Sequence, residues 1–255
     1  MGPDPGVRGL VSDTALKVHQ PDPLIQRALV VVAHPDDIDF GMAGTMAVLT
    51  SQGVDVAYCL ITSGDAGGDE STLTKQERAE VRESEQTAAA AVVGVTKLTF
   101  LRWLDGQVEP TLELRKAIAR VIREHRPDLV ITQSPERNFE RIYASHPDHL
   151  AAGEATLRAV YPDARNPHAF PELLAEGFAP HAVPTVWVGG NSPNLVVDIT
   201  DSFSTKLAAL RSHVSQVGHR DDLEETMRNW ASTNALAAGL GPERLGETFR
   251  VVNTA

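Results

Sequence analysis

The sequence is poor in cysteine, in positive charge and in long apolar segments, and each scarcity excludes a class of protein. Its single cysteine, Cys59, lies in the apolar segment VAYCLIT, so no intramolecular disulfide forms and we expect a buried, reduced thiol. Lysine and arginine number 23 against 34 aspartates and glutamates, a formal net charge of -11, and no basic segment favours nucleic acid or an anionic membrane. No segment approaches the ~20 apolar residues of a membrane span, and the first residues lack a signal-peptide pattern. We therefore expect a cytoplasmic protein with a small or neutral partner.

The length and composition of the chain indicate one domain preceded by a short arm. With 255 residues, 42% of them hydrophobic and 22% charged, the chain has enough apolar material for a core of ordinary size. Four prolines fall within the first 25 residues, where they disfavour regular structure. We expect an extended N-terminal arm over residues 1–25 and a single domain over residues 26–255.

Apolar segments typical of buried strands alternate along the chain with helical patterns. The predicted strands are 28–33, 54–62, 97–101 and 128–133, with later strands at 185–190 and 195–199. The predicted helices are 41–53, one that begins after a capping box of Thr74 and Glu77, 111–125, 148–161, 202–216 and about 221–238. Asp201 is predicted to cap the helix at 202–216, and residues 162–182 are predicted to be irregular. The alternation predicts the α/β class, with a mostly parallel sheet covered by helices on both faces, late strands and C-terminal helices.

Two short motifs concentrate histidine and aspartate after predicted strands. AHPDD, residues 33–37, follows the first strand, and HPDH, residues 146–149, follows the fourth strand after a loop. In an open parallel sheet the ligand crevice lies at the carboxyl ends of the strands where the strand order reverses, commonly between strands 1 and 4. The topology therefore predicts that the two motifs meet.

Two histidines and a carboxylate that meet at one point form an open metal site, with one coordination position left for water. Zinc lowers the pKa of such a water to about 7, and a neighbouring carboxylate can take its proton as the water attacks a carbonyl. Each motif alone has a plainer interpretation: Asp36 and Asp37 as a solvated turn in which Asp37 caps a helix, and His146 and His149 as exposed loop histidines. The presence of both motifs favours the metal site.

Together the motifs resemble the LmbE-like, or PIG-L, family of metal-dependent N-deacetylases, which includes GlcNAc-phosphatidylinositol de-N-acetylase. The resemblance extends through VRESEQTAAAAVVGV, FLRWLDGQ, RPDLVIT and KLAALRSHVSQ, so that it spans about residues 28–216. It implies a Rossmann-like α/β fold, a bound zinc ion with iron(II) as the other expected metal, and hydrolysis of an N-acetyl or N-acyl group on an amino-sugar-containing small molecule. Homo-oligomers are also common in the family.

The resemblance assigns roles to residues of the first motif and to the last histidine of the second. His34, Asp37 and His149 match the metal ligands of the family. Asp36 matches its general base. A glutamate often follows HPDD in the family, and here that position is Ile38.

The remaining residues of the second motif match groups that assist the reaction. His146 resembles the histidine that stabilises the oxyanion or protonates the leaving amine, and Asp148 is expected to orient or tune His146. Four residues elsewhere are candidate substrate contacts: Arg82, Asp65, Tyr143 and His213. The alternative for Arg82 is an ion pair with Glu85 along a helix, and the alternative for His213 is a structural histidine.

The predicted function is removal of the N-acetyl group from a GlcNAc conjugate or a similar amino sugar. One alternative is an amidase for a mycothiol-type or glycopeptide-antibiotic conjugate. A second is a non-haem iron(II) oxygenase, because that class also binds its metal through two histidines and one carboxylate. The third, a dinucleotide-binding protein, is disfavoured because no GxGxxG opens the first helix.

Overall fold

The computed structural model describes residues 16–68, 72–140, 142 and 145–254, and within those ranges it shows one eight-stranded sheet. The strands are β1 (Lys17–Val18), β2 (Arg27–Val32), β3 (Asp55–Thr62), β4 (Lys97–Trp103), β5 (Leu129–Thr132), β6 (Thr185–Gly189), β7 (Leu195–Asp198) and β8 (Gly246–Asn253). Their order in the sheet is β1-β7-β8-β6-β5-β2-β3-β4. Every pair is parallel except the two that β8 makes. The predicted mostly parallel α/β sheet is therefore confirmed.

Helices connect the strands and cover both faces of the sheet. They are α1 (Asp37–Gly41), α2 (Ala43–Ser51), α3 (Lys75–Val92), α4 (Leu112–His125), α5 (Pro147–Arg158), α6 (Pro171–Ala175), α7 (Phe203–Arg211), α8 (Val214–Val217) and α9 (Leu223–Ala237), with a π-helical turn at Ala159–Ala164. The predicted capping box begins α3: the Thr74 hydroxyl accepts the Glu77 N–H, and the Glu77 carboxylate accepts the Thr74 N–H.

The central strands are apolar throughout because helices bury both of their faces. In β2, Val30 and Val32 pack into a core with α2, α3 and α7, whereas Leu29 and Val31 pack into a second core with α4 and α5. Cys59 of β3 lies in the second core, where burial raises the pKa of its thiol to about 12. The prediction of a buried thiol is confirmed.

Three predictions about the second half of the chain need correction. Residues 246–253 form β8, an antiparallel strand between β6 and β7, whereas only helices were predicted after residue 199. Its strand partners lie about 50 to 70 residues away along the chain, so a local pattern does not show the pairing. Helix α7 begins at Phe203 with Ser202 as its N-cap, so Asp201 lies one residue too early to cap it. The stretch predicted to be irregular contains α6.

The arm predicted over residues 1–25 is described only in part, because residues 1–15 lie outside the described ranges. Lys17 and Val18 pair in parallel with Leu195 and Val196 at the edge of the sheet. The division at residue 26 stays a prediction. Among the described residues, none of the helices combines the length and the apolar composition that crossing a membrane requires.

A buried ion pair fixes the amino-terminal end of α2 to β8. The Glu247 carboxylate accepts the N–H groups of Gly44 and Thr45 at 3.2 and 2.7 Å, and Lys206 Nζ lies 2.6 Å from it. Lys206 also donates to the Phe40 carbonyl oxygen at 2.6 Å. A carboxylate at this position suits the positive end of the helix dipole, so this pair holds the segment that follows the first motif.

We expect Lys206→Met to lower the free energy of unfolding by about 3–5 kcal/mol, because it leaves the buried Glu247 carboxylate without its cation. Arg158→Met is the matched control: it removes a half-exposed pair with Glu154, and surface pairs contribute about 0–1 kcal/mol. Urea unfolding followed by circular dichroism measures both losses. Equal losses in the two variants would contradict the structural role of the buried pair.

Candidate metal centre

The two histidine and aspartate motifs meet at the carboxyl ends of β2 and β5. These strands are neighbours, with β3 and β4 on one side and β6 on the other, so the strand order reverses between them. His34 follows β2, and His149 lies in the first turn of α5, which follows β5 after a loop. His34 Nδ1 lies 3.2 Å from His149 Nε2. The two clusters therefore meet at the crevice that the topology predicts.

A turn with left-handed backbone separates the two adjacent aspartates of the first motif. Asp36 has φ 86° and ψ -26°, a conformation that costs most residues roughly 1–2 kcal/mol and that aspartate adopts more readily. Helix α1 begins at the next residue, and the Asp37 carboxylate accepts the N–H of His34 at 2.7 Å. Because of this turn the Asp37 side chain faces the two histidines, whereas the Asp36 side chain faces Arg82.

Three donor atoms from His34, Asp37 and His149 converge. His34 Nδ1 lies 3.3 Å from Asp37 Oδ2, His149 Nε2 lies 3.0 Å from Asp37 Oδ1, and the two ring nitrogens are 3.2 Å apart. Metal bonds of about 2.0–2.2 Å to nitrogen and oxygen place neighbouring donor atoms roughly 3–4 Å apart. The spacing of these three donors fits a single metal ion.

The other nitrogen of His34 faces a second pair of carboxylates. Its Nε2 lies 3.0 Å from Asp105 Oδ1 and 3.2 Å from Asp148 Oδ2, and these three buried groups are themselves close enough to hold a cation. Both carboxylates, however, also accept backbone N–H groups, from Ala66 at 3.1 Å and from Gly106 at 2.7 Å. Since carboxylates only accept hydrogen bonds, they favour the tautomer with a proton on Nε2 and leave Nδ1 for a metal.

The carboxylates around His34 make this point strongly favourable for positive charge. Burial opposes the charged imidazole, but hydrogen bonds to Asp105, Asp148 and Asp37 outweigh it and raise the pKa of His34 to about 12. Burial also favours the neutral form of Asp37, yet His149 and His34 hold the pKa of Asp37 well below its usual range. A divalent cation would satisfy the same carboxylates, so the residues present fit a bound metal.

The Asp36 carboxylate lies beside the three donors without joining them. Its Oδ2 lies 3.0 Å from Arg82 Nη2. Burial raises the pKa of Asp36 to about 6; the Arg82 charge opposes this increase, and the Asp37 charge adds to it. The motif thus provides one aspartate that faces the histidines and one with a raised pKa.

Arg82 lies beneath Asp36 and is only 3% exposed. The prediction that Arg82 contacts the substrate is therefore wrong. Arg82 also donates to the carbonyl oxygens of Pro35 at 2.6 Å and Gly64 at 3.1 Å. A side chain at Gly64, where φ is +67°, would place its Cβ 2.2 Å from the guanidinium. Glu85, the alternative partner, instead accepts two hydrogen bonds from Ser215.

His146 stands at the exposed rim of the site, at the N-cap of α5. Its ring centroid lies 5.0 Å from that of His34 and 5.2 Å from that of His149. Its Nδ1 accepts the Asp148 N–H at 3.2 Å, so Nε2 is the nitrogen that carries the proton. Partial burial and the two neighbouring histidines lower the pKa of His146. Asp148 contacts His146 through this backbone N–H, whereas its carboxylate hydrogen-bonds to His34; its role towards His146 stays a prediction.

The other candidate substrate contacts have different positions. Asp65 Oδ1 accepts the Asp105 N–H at 2.9 Å, and Asp65 lines a groove of about 510 Å³ beside Trp103, where a substrate contact stays a prediction. His213 is fully buried against Asp39, which corrects its prediction as a substrate contact and favours the structural alternative. Tyr143 lies outside the described residues.

Two residues that sequence analysis did not single out complete the surroundings of the site: Asp105, which binds His34, and Gln86, whose Oε1 accepts the Asp36 N–H at 2.9 Å. Asp105 belongs to the segment FLRWLDGQ, which follows the strand next to β3. Its position just after a strand, at the same edge of the sheet as the two motifs, could have indicated that Asp105 lies near the site. Gln86 lies in a helical stretch that carries no comparable signal.

Comparison with known proteins gives one family and several relatives. The PIG-L family, described as GlcNAc-PI de-N-acetylase, matches residues 29–160, which include both motifs. Diacetylchitobiose deacetylase from Thermococcus kodakarensis is 34% identical over 98% of this chain and 91% of its own length. The 1D-myo-inositol 2-acetamido-2-deoxy-alpha-D-glucopyranoside deacetylase of Mycolicibacterium vanbaalenii is 30% identical over 85% of this chain and 88% of its own.

A solved structure shares the fold. N,N'-diacetylchitobiose deacetylase from Pyrococcus horikoshii, in complex with an inhibitor, is 31% identical and superposes with a TM-score of 0.82. The superposition covers 90% of this chain and 84% of the other. The likeness therefore extends well beyond the segment that the family model matches.

Proposed function

The chain belongs to the PIG-L family, and on that premise we propose that it is a metal-dependent deacetylase. It is a hydrolase that removes the N-acetyl group from an amino-sugar-containing small molecule, with acetate and a free amine as products. The observation that carries this proposal is the convergence of His34 Nδ1, the Asp37 carboxylate and His149 Nε2 within 3.0–3.3 Å, beside a separate buried carboxylate on Asp36.

We propose that His34, Asp37 and His149 hold zinc, with iron(II) as the alternative metal. When bound, such an ion supplies Lewis acidity, which lowers the pKa of water and polarises the acetamide carbonyl. Asp105 and Asp148 keep the Nε2 proton of His34 directed away from the metal, so that the lone pair on Nδ1 is available.

Asp36 acts as the general base. Its carboxylate takes a proton from the attacking water while the new C–O bond forms, and returns that proton to the nitrogen as the C–N bond breaks. A raised pKa suits this double role, because a proton acceptor is most effective when its pKa lies near the working pH. Arg82 holds the carboxylate in place through Nη2.

His146 donates a hydrogen bond from Nε2 to the carbonyl oxygen as negative charge develops there. Burial and the two neighbouring histidines lower the pKa of His146, which favours the neutral ring, and a neutral imidazole is a hydrogen-bond donor of this kind. The same property disfavours His146 as the group that protonates the amine. We therefore assign the amine proton to Asp36.

The names of the relatives state their substrates, and these support a substrate class for this chain. Diacetylchitobiose and the acetamido-deoxy-glucopyranoside of inositol both contain an N-acetylated glucosamine. We propose a soluble GlcNAc conjugate as the substrate and the cytoplasm as the location; homo-oligomerisation stays a prediction. The relatives do not favour the glycopeptide or mycothiol-type amidase as a separate activity, nor the oxygenase.

The experiment that tests the function is an assay of amine release from a panel of N-acetylglucosamine conjugates, with acetate measured in parallel. N-acetylated amino acids serve as the comparison compounds. We expect equal amounts of amine and acetate from at least one GlcNAc conjugate and a slower reaction with the amino acids. Release from the amino acids alone would contradict the proposed substrate class.

Asp105→Asn is expected to weaken metal binding by about 10- to 100-fold, because it replaces the charged acceptor of the His34 Nε2 proton with a neutral one. Asp201→Asn is the control, an exposed aspartate away from the site. Competition with a chromogenic chelator measures both affinities. Equal affinity in Asp105→Asn and the control would show that Asp148 alone orients His34.

A further inference from the structure

A chain of three buried polar side chains leads from the start of α8 to the backbone of Asp36. His213 Nε2 lies 2.8 Å from Asp39 Oδ2, and Gln86 Nε2 donates to the same oxygen at 2.8 Å. Gln86 Oε1 then accepts the Asp36 N–H at 2.9 Å. The side chains of His213, Asp39 and Gln86 have no solvent exposure. None of the three can therefore touch a substrate from its present position.

The chemistry of these groups fixes the direction of the hydrogen bonds. The Asp39 carboxylate only accepts, so the Gln86 amide must turn its NH₂ group towards Asp39. This leaves the amide oxygen of Gln86 for the Asp36 N–H, and no other orientation satisfies both contacts. Asp39 and His213 thereby determine which atom Gln86 presents to the active site.

Burial of this chain is costly, which suggests that it serves more than packing. Within the described part of the protein, Asp39 Oδ1 and His213 Nδ1 are buried without a hydrogen-bond partner. Apolar side chains of similar size would avoid that cost. Buried polar groups that are only partly satisfied call for an explanation beyond stability.

The end point of the chain is the residue with the unusual backbone. Asp36 has a φ of 86°, and its carbonyl oxygen accepts the N–H groups of Asp39 and Phe40, both at 2.9 Å. Gln86 holds the N–H on the other side of the same residue. Because the aspartate side chain is short, the backbone held in this way sets where its carboxylate lies.

We propose that Gln86, held in turn by Asp39 and His213, is a positioning residue that keeps the Asp36 carboxylate directed for proton transfer. This inference rests on the proposed function, in which Asp36 is the general base. It assigns to Gln86 an effect on the chemical step and none on metal binding, because the metal donors contact one another and not Gln86.

The test begins with Gln86→Leu, which fills similar space and makes neither hydrogen bond. We expect kcat to fall by about 10- to 100-fold, the effect of a misplaced reacting group, with KM and metal content unchanged. Gln52→Leu, which changes an exposed glutamine at the end of α2, is the matched control and should leave kcat unchanged. Thermal melting confirms that each variant is folded. A fall in metal content, or a change in KM alone, would overturn the proposal.

A second variant keeps the test decisive if Gln86→Leu does not fold. Gln86→Asn retains the amide but is one methylene shorter, so it cannot reach both Asp39 and the Asp36 N–H. We expect it to lose kcat in the same way as Gln86→Leu, with KM and metal content again unchanged. Wild-type kcat in Gln86→Asn would overturn the proposal.

A double-mutant cycle separates this inference from the proposed function. If Gln86 acts through Asp36, adding Gln86→Leu to Asp36→Asn should cause no further loss of kcat. Losses that multiply would show that Gln86 acts independently and would overturn the inference. Wild-type kcat in Gln86→Leu, with a large loss in Asp36→Asn, would overturn the inference alone. Wild-type kcat in Asp36→Asn would overturn the base assignment and this inference with it.

Discussion

Asp36→Asn is expected to keep its bound metal and to lose about 10²- to 10⁴-fold in kcat, the usual contribution of a general base. Asparagine has nearly the shape of aspartate, and its amide oxygen can still accept from Arg82 Nη2, which lies 3.0 Å from the carboxylate. The amide cannot take a proton from water at neutral pH. The loss should therefore appear in the chemical step, while the fold and the three metal donors stay in place.

Steady-state kinetics and elemental analysis on the same preparation measure this prediction. Asp201→Asn, an exposed aspartate outside the site, provides the control for the change of charge. Near-full activity in Asp36→Asn would remove Asp36 from its assigned role. Loss of the metal would mean instead that Asp36 belongs to the ligand set.

His149→Ala is expected to lose the metal and to reduce activity to that of the metal-free protein. The imidazole provides one of the three proposed metal donors, and its Nε2 lies 3.0 Å from Asp37 Oδ1. Removing a hydrogen-bond partner of a metal ligand lowers metal affinity by about 10- to 100-fold, and the loss of affinity in His149→Ala should be larger. The half-buried position of His149 lets alanine fit without disturbing the core.

The matched control for this variant is His168→Ala, which removes an exposed histidine from the loop before α6. Both variants are purified from metal-supplemented cultures and desalted before elemental analysis. His149→Ala should contain no metal, whereas His168→Ala should match the wild type. Retention of one metal ion per chain in His149→Ala would place the metal elsewhere, with the His34, Asp105 and Asp148 group as the alternative.

The strand and helix alternation was sufficient to predict the sheet and the position of its crevice. The parallel strands β2, β3 and β5 are largely apolar segments and β4 contains the stretch KLTFL, with helices between them, so each has a local signal. The position of β8 in the sheet depends instead on antiparallel pairing with β6 and β7, far away along the chain. Local patterns do not determine a non-local pairing of this kind.

In the candidate site, too, the sequence motifs could be predicted, whereas their contacts with distant parts of the chain could not. The motifs at 33–37 and 146–149 carry their own chemistry, and the topology brings them together. The partners of those residues come from other elements: Asp105 from the end of β4, and Arg82 from α3. Which way a side chain faces depends on features such as the φ of 86° at Asp36, and sequence spacing does not report it.

For this reason two predicted substrate contacts, Arg82 and His213, are buried instead. Asp148 lies two residues from His146 in sequence, yet its carboxylate meets His34, since the start of α5 points that side chain into the protein. His213 follows α7 in a segment that resembles the family, but it packs fully beneath the first motif. Each of these side chains lies near the site and contacts a neighbour that the sequence spacing does not indicate.

The most direct test of metal-dependent deacetylation is a titration of the metal-free protein with zinc, in which acetate release from N,N'-diacetylchitobiose is followed. We expect no release from the chelated protein, and a rate that rises with added zinc until one ion per chain is bound. A chelated protein that retains full activity, or a reconstituted protein that releases no acetate from this or any other GlcNAc conjugate, would contradict the proposed function.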